Sequence, residues 1–170
     1  MKELCMTTPA NPFSAAPVPG LSDLLAMVDT VGQAQTDLFA RIIPGQLDLP
    51  DPGGWTTREI LSHVVGSWQR VPLWASFFLD GDPTVPVPIF PHDPFWMREW
   101  ETAPLAAFKL SLAAAIAGNK AFLQTLDTEA LHRTHPTPFG EITLGAFLHI
   151  NYQLHLGGGH TPQLHALLHH

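Results

Sequence analysis

Between residues 21 and 42, apolar side chains stand at Leu21, Leu24, Leu25, Val28, Val31, Leu38 and Ile42, mostly three or four residues apart. That spacing predicts an amphipathic helix of about 20 residues with one face available for burial. The run PGQLDLPDPGG stops it, and TTRE then offers Thr56 and Glu59 as a capping box for a second helix. The second helix is predicted from about Thr57 to Leu79, with DGDP at its end. The stretch DPTVPVPIFPHDP holds too many prolines for a helix or a central strand. It is expected to be extended across the bundle surface, with a short helical turn around Phe95 to Glu101. An Ala- and Leu-rich segment from Pro104 to Leu126 gives a third helix, and a fourth begins near Thr143 after the turn-like HPTPFGE. No alternating run bounded by hairpin residues is present, so no strand is expected. The pattern therefore predicts an all-α chain: a four-helix bundle with a Pro-rich loop between helices two and three. Residues 1–20 read as a flexible Pro-rich tail and residues 21–170 as the bundle domain.

Composition narrows the function classes. With 170 residues, 45% of them hydrophobic, the chain can bury a core as one domain without a disulfide or structural metal. The net charge is −7 with only eight Lys and Arg, which leaves no basic stripe for phosphates, and no nucleic-acid partner is expected. Cys5, the single cysteine, lies in the tail, which excludes an internal disulfide and points to a reducing compartment. No uninterrupted apolar run approaches the ~20 residues needed to span a bilayer, so no membrane association is expected. Without a basic start followed by a hydrophobic segment, the expected location is the cytoplasm.

Histidine placement carries the candidate chemistry. His63 lies between Ile60 and Val64 on the second helix and should point into the bundle. A lone inward histidine is ordinarily a hydrogen-bonded core residue, but the stretch HLGGGHTPQLH adds His155 and His160 on the fourth helix. Their five-residue spacing places them about 140° apart on a regular α-helix, which by itself argues against a shared site. Gly157, Gly158 and Gly159 allow an extra residue to be absorbed as a π-bulge, returning both histidines to one face. The plainer reading of the three glycines is close backbone packing. Thr161 and Pro162 also read as an N-cap and first helical position, at which the helix would break and restart. His92, His132 and His135 fall in loops or helix ends and read as solvated, while His165, His169 and His170 decorate the terminal turn. Trp68, Trp74, Phe77 and Phe78, at helical spacing, read as core or dimer-interface residues. The chain has no HExxH, no GxSxG, no nucleotide fingerprint and no paired Glu-x-x-His of a di-iron bundle.

These residues carry a family resemblance. GGWTTREILSHVVGSWQRVPLWASFFLDGDP resembles the second-helix region of the DinB-like superfamily, in which a Trp and a polar cap precede the first metal-binding histidine. His63 matches that histidine. The segment FLQTLDTEALHRTHPTPFGEITLGAFLHINYQLHLGGGHTPQLHAL is similar to the end of those proteins, where H-x-x-x-H-x-x-Q-[IL] is the terminal pattern. His155 matches the first histidine by its distance from Thr143, and His160 the second by the Gln163 and Leu164 that follow. The departure is the extra residue between them; in another register His149, Asn151 or His165 would be the residues to watch. The resemblance implies a four-helix bundle with an up-up-down-down or otherwise rearranged connection, often a homodimer. It implies a divalent ion, zinc or nickel, held by His63, His155 and His160. Related proteins include S-transferases and an isomerase that use low-molecular-weight thiols, and others assigned as metal-dependent hydrolases. Two readings follow: a metal-dependent transferase or hydrolase acting on a small electrophile, or a noncatalytic bundle whose site has degenerated and which binds a small molecule or partner.

Overall fold

Helices form where the three- and four-residue periodicity places them. In the computed structural model, which describes residues 18–51, 53–88, 100–138 and 140–168, helix α1 is Leu21–Arg41, α2 Thr57–Asp80 and α3 Leu105–Gln124. The fourth helix, α4, is built in three parts: an α-helical Leu144–His149, a π-helical Ile150–His160 and an α-helical Thr161–Leu167. Helix α2 starts on the anticipated capping box. Glu59 N donates to Thr56 Oγ1 at 3.2 Å, and Thr56 N donates back to Glu59 Oε2 at 2.7 Å. At the start of α4, Ala146 N donates to Thr143 Oγ1.

Each helix turns its apolar stripe inward. Leu24, Val28, Val31, Leu38 and Phe39 of α1 join Ile60, Leu61, Val64, Val65 and Trp68 of α2 in one core. Leu105, Phe108, Leu112 and Leu123 of α3 complete it together with Phe147, Tyr152, Leu156 and Leu164 of α4. Trp68, Trp74 and Phe78 are buried and Phe77 half-buried, as the core reading expects. By length and composition alone α3 is long and apolar enough to cross a membrane. Lys109, Asn119 and Lys120 interrupt the run without lowering the helix's average hydropathy enough to matter. Here α3 packs against α1 and α2.

The expectation of a strand-free chain is corrected. Thr134–Thr137 and Gly140–Thr143 form an antiparallel hairpin, β1 and β2, pairing Thr134 with Thr143 and Thr137 with Gly140. Two four-residue strands, one carrying Pro136, are too short for an alternation signal; they form because His135, Thr137 and Ile142 all find burial. His135 is also corrected: only 3% exposed, it places Nε2 2.8 Å from the Val85 carbonyl oxygen and packs against Phe77 and Phe78. His132 and His165 are exposed, as read. The start of the Pro-rich segment is tied to the hairpin, where buried Val87 donates its amide to the Pro136 carbonyl. The helical turn expected at Phe95 to Glu101 falls mostly outside the described residues, as do Cys5, most of the tail, His92, His169 and His170.

A buried polar circuit links all four helices. Trp68 Nε1 of α2 donates to Gln35 Oε1 of α1 at 2.7 Å, and Gln35 Nε2 donates to the Leu156 carbonyl of α4 at 2.8 Å. Asn119 Nδ2 of α3 donates to the Trp68 carbonyl at 2.7 Å, and its Oδ1 accepts the Tyr152 hydroxyl of α4 at 2.8 Å. Gln35 and Tyr152 are fully enclosed, so any partner removed leaves a polar atom without water to replace it. Gln35→Leu keeps the volume but orphans the Trp68 indole. It is expected to lower unfolding free energy by about 2–4 kcal/mol, read as a shifted urea midpoint with unchanged slope.

Candidate metal centre

The site sits where the first turns of α2 meet the π-helical part of α4. Ahead of α2 the chain folds back on itself: Asp51 N donates to the Trp55 carbonyl at 2.7 Å and Gly54 N to the Asp51 carbonyl at 3.0 Å. Gly54 takes φ +86°, a conformation that a side chain would strain. The turn brings the Trp55 ring edge-on to His63, with centroids 5.5 Å apart.

A hydrogen bond from residue i+5 to residue i puts positions five apart where an α-helix puts positions four apart. His155 and His160 therefore share a face despite their spacing. Their Nε2 atoms are 2.8 Å apart, and His63 lies beside both, at centroid distances of 5.6 Å and 4.6 Å. One ring nitrogen from each of His63, His155 and His160 lies within 4.8 Å of the others. His149, Asn151 and His165 do not join them: Asn151 Nδ2 bonds the Phe147 carbonyl, and His165 is exposed.

The glycines play a different part from the one their number suggests. π geometry begins at Ile150, well before them, and none has positive φ. At Gly157 a Cβ would come within 3.1 Å of Val31 Cγ2 and 3.2 Å of the Tyr152 carbonyl, so α4 approaches α1 closely enough that a side chain there would have to push its neighbours aside by a few tenths of an ångström. At Gly158 and Gly159 the same atom would meet only backbone oxygens, at 3.5 Å and 3.6 Å. The anticipated break at Thr161 is absent: His160 (φ −85°, ψ −28°) and Thr161 (φ −62°, ψ −46°) are both helical. Pro162 falls in the first turn of the resumed α-helix, and because the chain ahead of it is already helical it gives up one backbone donor there.

Burial favours the neutral form of His155 and His160. It pulls His155 down to about 4, with the neighbouring His160 adding to the effect. Burial lowers His160 as well, opposed by its hydrogen bond to Gln163. Around the cluster, His160 Nδ1 lies 3.0 Å from Gln163 Oε1, and Gln163 Nε2 donates to Asp51 Oδ2 at 3.1 Å. Burial would raise the Asp51 carboxyl, but hydrogen bonds from Gln163 and from the amides of Trp55, Gly53 and Gly54 hold it below its usual value. Asp51 was not legible as a site residue; its only signal was a position ahead of Pro-Gly-Gly, where a carboxylate commonly caps a turn.

Three imidazoles converging on one point, each from a helix, suit a borderline divalent ion and leave coordination positions open. Fold and site thus define a helical bundle with a three-histidine cluster of metal-ligating geometry. The model of the DinB superfamily matches residues 27–153, and the chain belongs to that superfamily. Among solved structures, YfiT from Bacillus subtilis, described as a probable metal-dependent hydrolase with an unusual four-helix bundle topology, is similar at TM-score 0.68 and 21% identity. That likeness covers 89% of this chain and 91% of YfiT. An uncharacterised protein from Clostridium difficile 630 is similar at TM-score 0.69 and 15% identity, covering 88% and 96%. A histidine-to-alanine mutant of a mycothiol-dependent maleylpyruvate isomerase gives TM-score 0.67 and 12% identity, covering 79% of this chain and 57% of its own. At these identities the likeness establishes the fold. No curated protein matches by sequence.

Two outcomes follow. Because folded His155 resists the proton that the unfolded chain accepts near 6.5, the metal-free protein should lose stability as pH falls from about 6.5 to about 4. His155→Asn should flatten that part of the profile in denaturant titrations. Gly157→Ala should destabilise by about 1 kcal/mol through its clash with Val31, whereas Gly158→Ala should be neutral or stabilising by up to ~1 kcal/mol, both read from thermal melts.

Proposed function

We propose that this protein is a metal-dependent enzyme that holds one zinc or nickel ion through His63, His155 and His160. It acts on a small electrophilic substrate, with water or a low-molecular-weight thiol as the nucleophile. The observation that carries the reading is the widened stretch of α4, which gives up regular helical geometry over Ile150–His160 and in doing so brings His155 and His160 to His63. A packing histidine needs no such arrangement. Descriptions of YfiT as a probable hydrolase and of another structural neighbour as a mycothiol-dependent isomerase support the same two nucleophiles.

A bound divalent ion would supply Lewis acidity, favouring the deprotonated form of water or thiol near neutral pH. The chain's own residues supply the rest. Burial holds His155 in the unprotonated form a ligand needs. Gln163 fixes the ring of His160 from its far side, and Trp55 limits the movement of His63.

The competing reading is a noncatalytic binding bundle, and metal content separates the two. Protein purified without an affinity tag should carry about one zinc or nickel per chain by elemental analysis, and His155→Ala should reduce this sharply by removing one of three ligands. The loaded protein should cleave an activated ester, or consume a thiol in the presence of a small electrophile; His63→Ala should abolish either reaction. Failure to take up zinc and nickel, or full occupancy with neither reaction, would favour the binding bundle.

A further inference from the structure

We propose that Asp51 is a positioning residue that selects the ligating nitrogen of His160, acting through the Gln163 amide; this rests on the metal-site reading above. An ionised carboxylate can only accept hydrogen bonds. Asp51 Oδ1 takes the Trp55 amide at 2.9 Å, and Oδ2 takes Gln163 Nε2 at 3.1 Å. The amide nitrogen of Gln163 is thereby committed to Asp51, which turns Oε1 toward His160 Nδ1, 3.0 Å away. An acceptor at that position requires Nδ1 to carry the hydrogen, so Nε2 keeps its lone pair. Nε2 is the atom that faces His155 across 2.8 Å. In the metal-free chain His155 supplies the hydrogen of that contact. The direction of the whole series is therefore set by one acceptor-only group, 112 residues away in sequence from the Gln163 it orients.

The same logic gives a single-atom test. In Asp51→Asn the new side chain keeps its oxygen on the Trp55 amide, because its NH2 group cannot face another donor. Its NH2 then faces Gln163, which must present Oε1 to it and NH2 to His160. Nδ1 becomes an acceptor, the hydrogen moves to Nε2, and the ligating position is blocked without any change of shape.

Imidazole nitrogen NMR shifts of the metal-free protein should show His160 protonated at Nδ1 in the parent and at Nε2 in Asp51→Asn. Zinc affinity, measured by competition with a chromophoric chelator, should fall by about 10–100-fold in Asp51→Asn. It should be unchanged in Asp48→Asn, which alters an exposed carboxylate of the same loop paired with Arg58. Asp51→Asn with the parent tautomer and parent affinity would overturn the proposal. Should that variant fail to fold, Gln163→Leu breaks the series from the α4 side and leaves the turn intact; parent-like tautomer and affinity there would overturn it equally. A parent protein that binds neither zinc nor nickel defeats the metal reading instead, while the tautomer in the metal-free chain still decides the role of Asp51.

Discussion

The carbonyl of Leu156 gathers donors from three directions. The Thr161 amide reaches it along the π-helix, the Thr161 hydroxyl bonds it at 3.1 Å, and Gln35 Nε2 arrives from α1 at 2.8 Å. That convergence helps to hold the widened turn open, since a wide turn packs its own backbone less well than an α-turn. Gln35 also receives the Trp68 indole, so the turn is anchored to the helix that carries His63 as well as to α1. A buried amide repays its desolvation only when both its donor and acceptor sides are used, and here Gln35 and Asn119 meet that condition. The geometry of the histidine cluster is thus inherited from hydrogen bonds in the core.

Much of this was legible from residues alone, for identifiable reasons. The helices announced themselves because burial of one stripe imposes a period, and the ends of α2 because Thr56, Glu59 and Gly81 do local chemistry. His63, His155 and His160 could be proposed from spacing and resemblance, including the extra residue between the last two. What could not be read depends on long-range partners. Nothing near Gln35 in the chain indicates that it bonds Leu156, and nothing near His135 indicates that it will be buried with its ring on the Val85 carbonyl. The π-helix illustrates the limit: the glycines drew attention to the right stretch, but the widening begins at Ile150, and only Gly157 meets a steric need.

The hairpin and the loop before α2 show how short irregular segments govern this fold. β1 and β2 fasten the start of the Pro-rich segment beside the end of α2 through Val87 and His135. The turn at Asp51 to Trp55 does the corresponding work at the opposite end of α2, placing a tryptophan against His63 and a carboxylate against Gln163. Neither segment has a hydrophobic pattern of its own. Both are held by side chains that meet across large sequence distances.

The wide turns also bear on how this chain relates to others of its length. One residue inserted in an α-helix rotates all that follows by about 100°, which would swing Leu164 and Leu167 out of the core. Both are buried beyond the π-helical stretch. A residue added in such a stretch would leave little trace in the three-dimensional course of the helix end, while breaking a position-by-position comparison. The superfamily match stops at residue 153, just ahead of His155, although the helix runs on to Leu167. For helices of this kind, an alignment gap between residues that share a face marks a change of winding, and homology is better traced through the residues that meet at the histidine cluster than through their count.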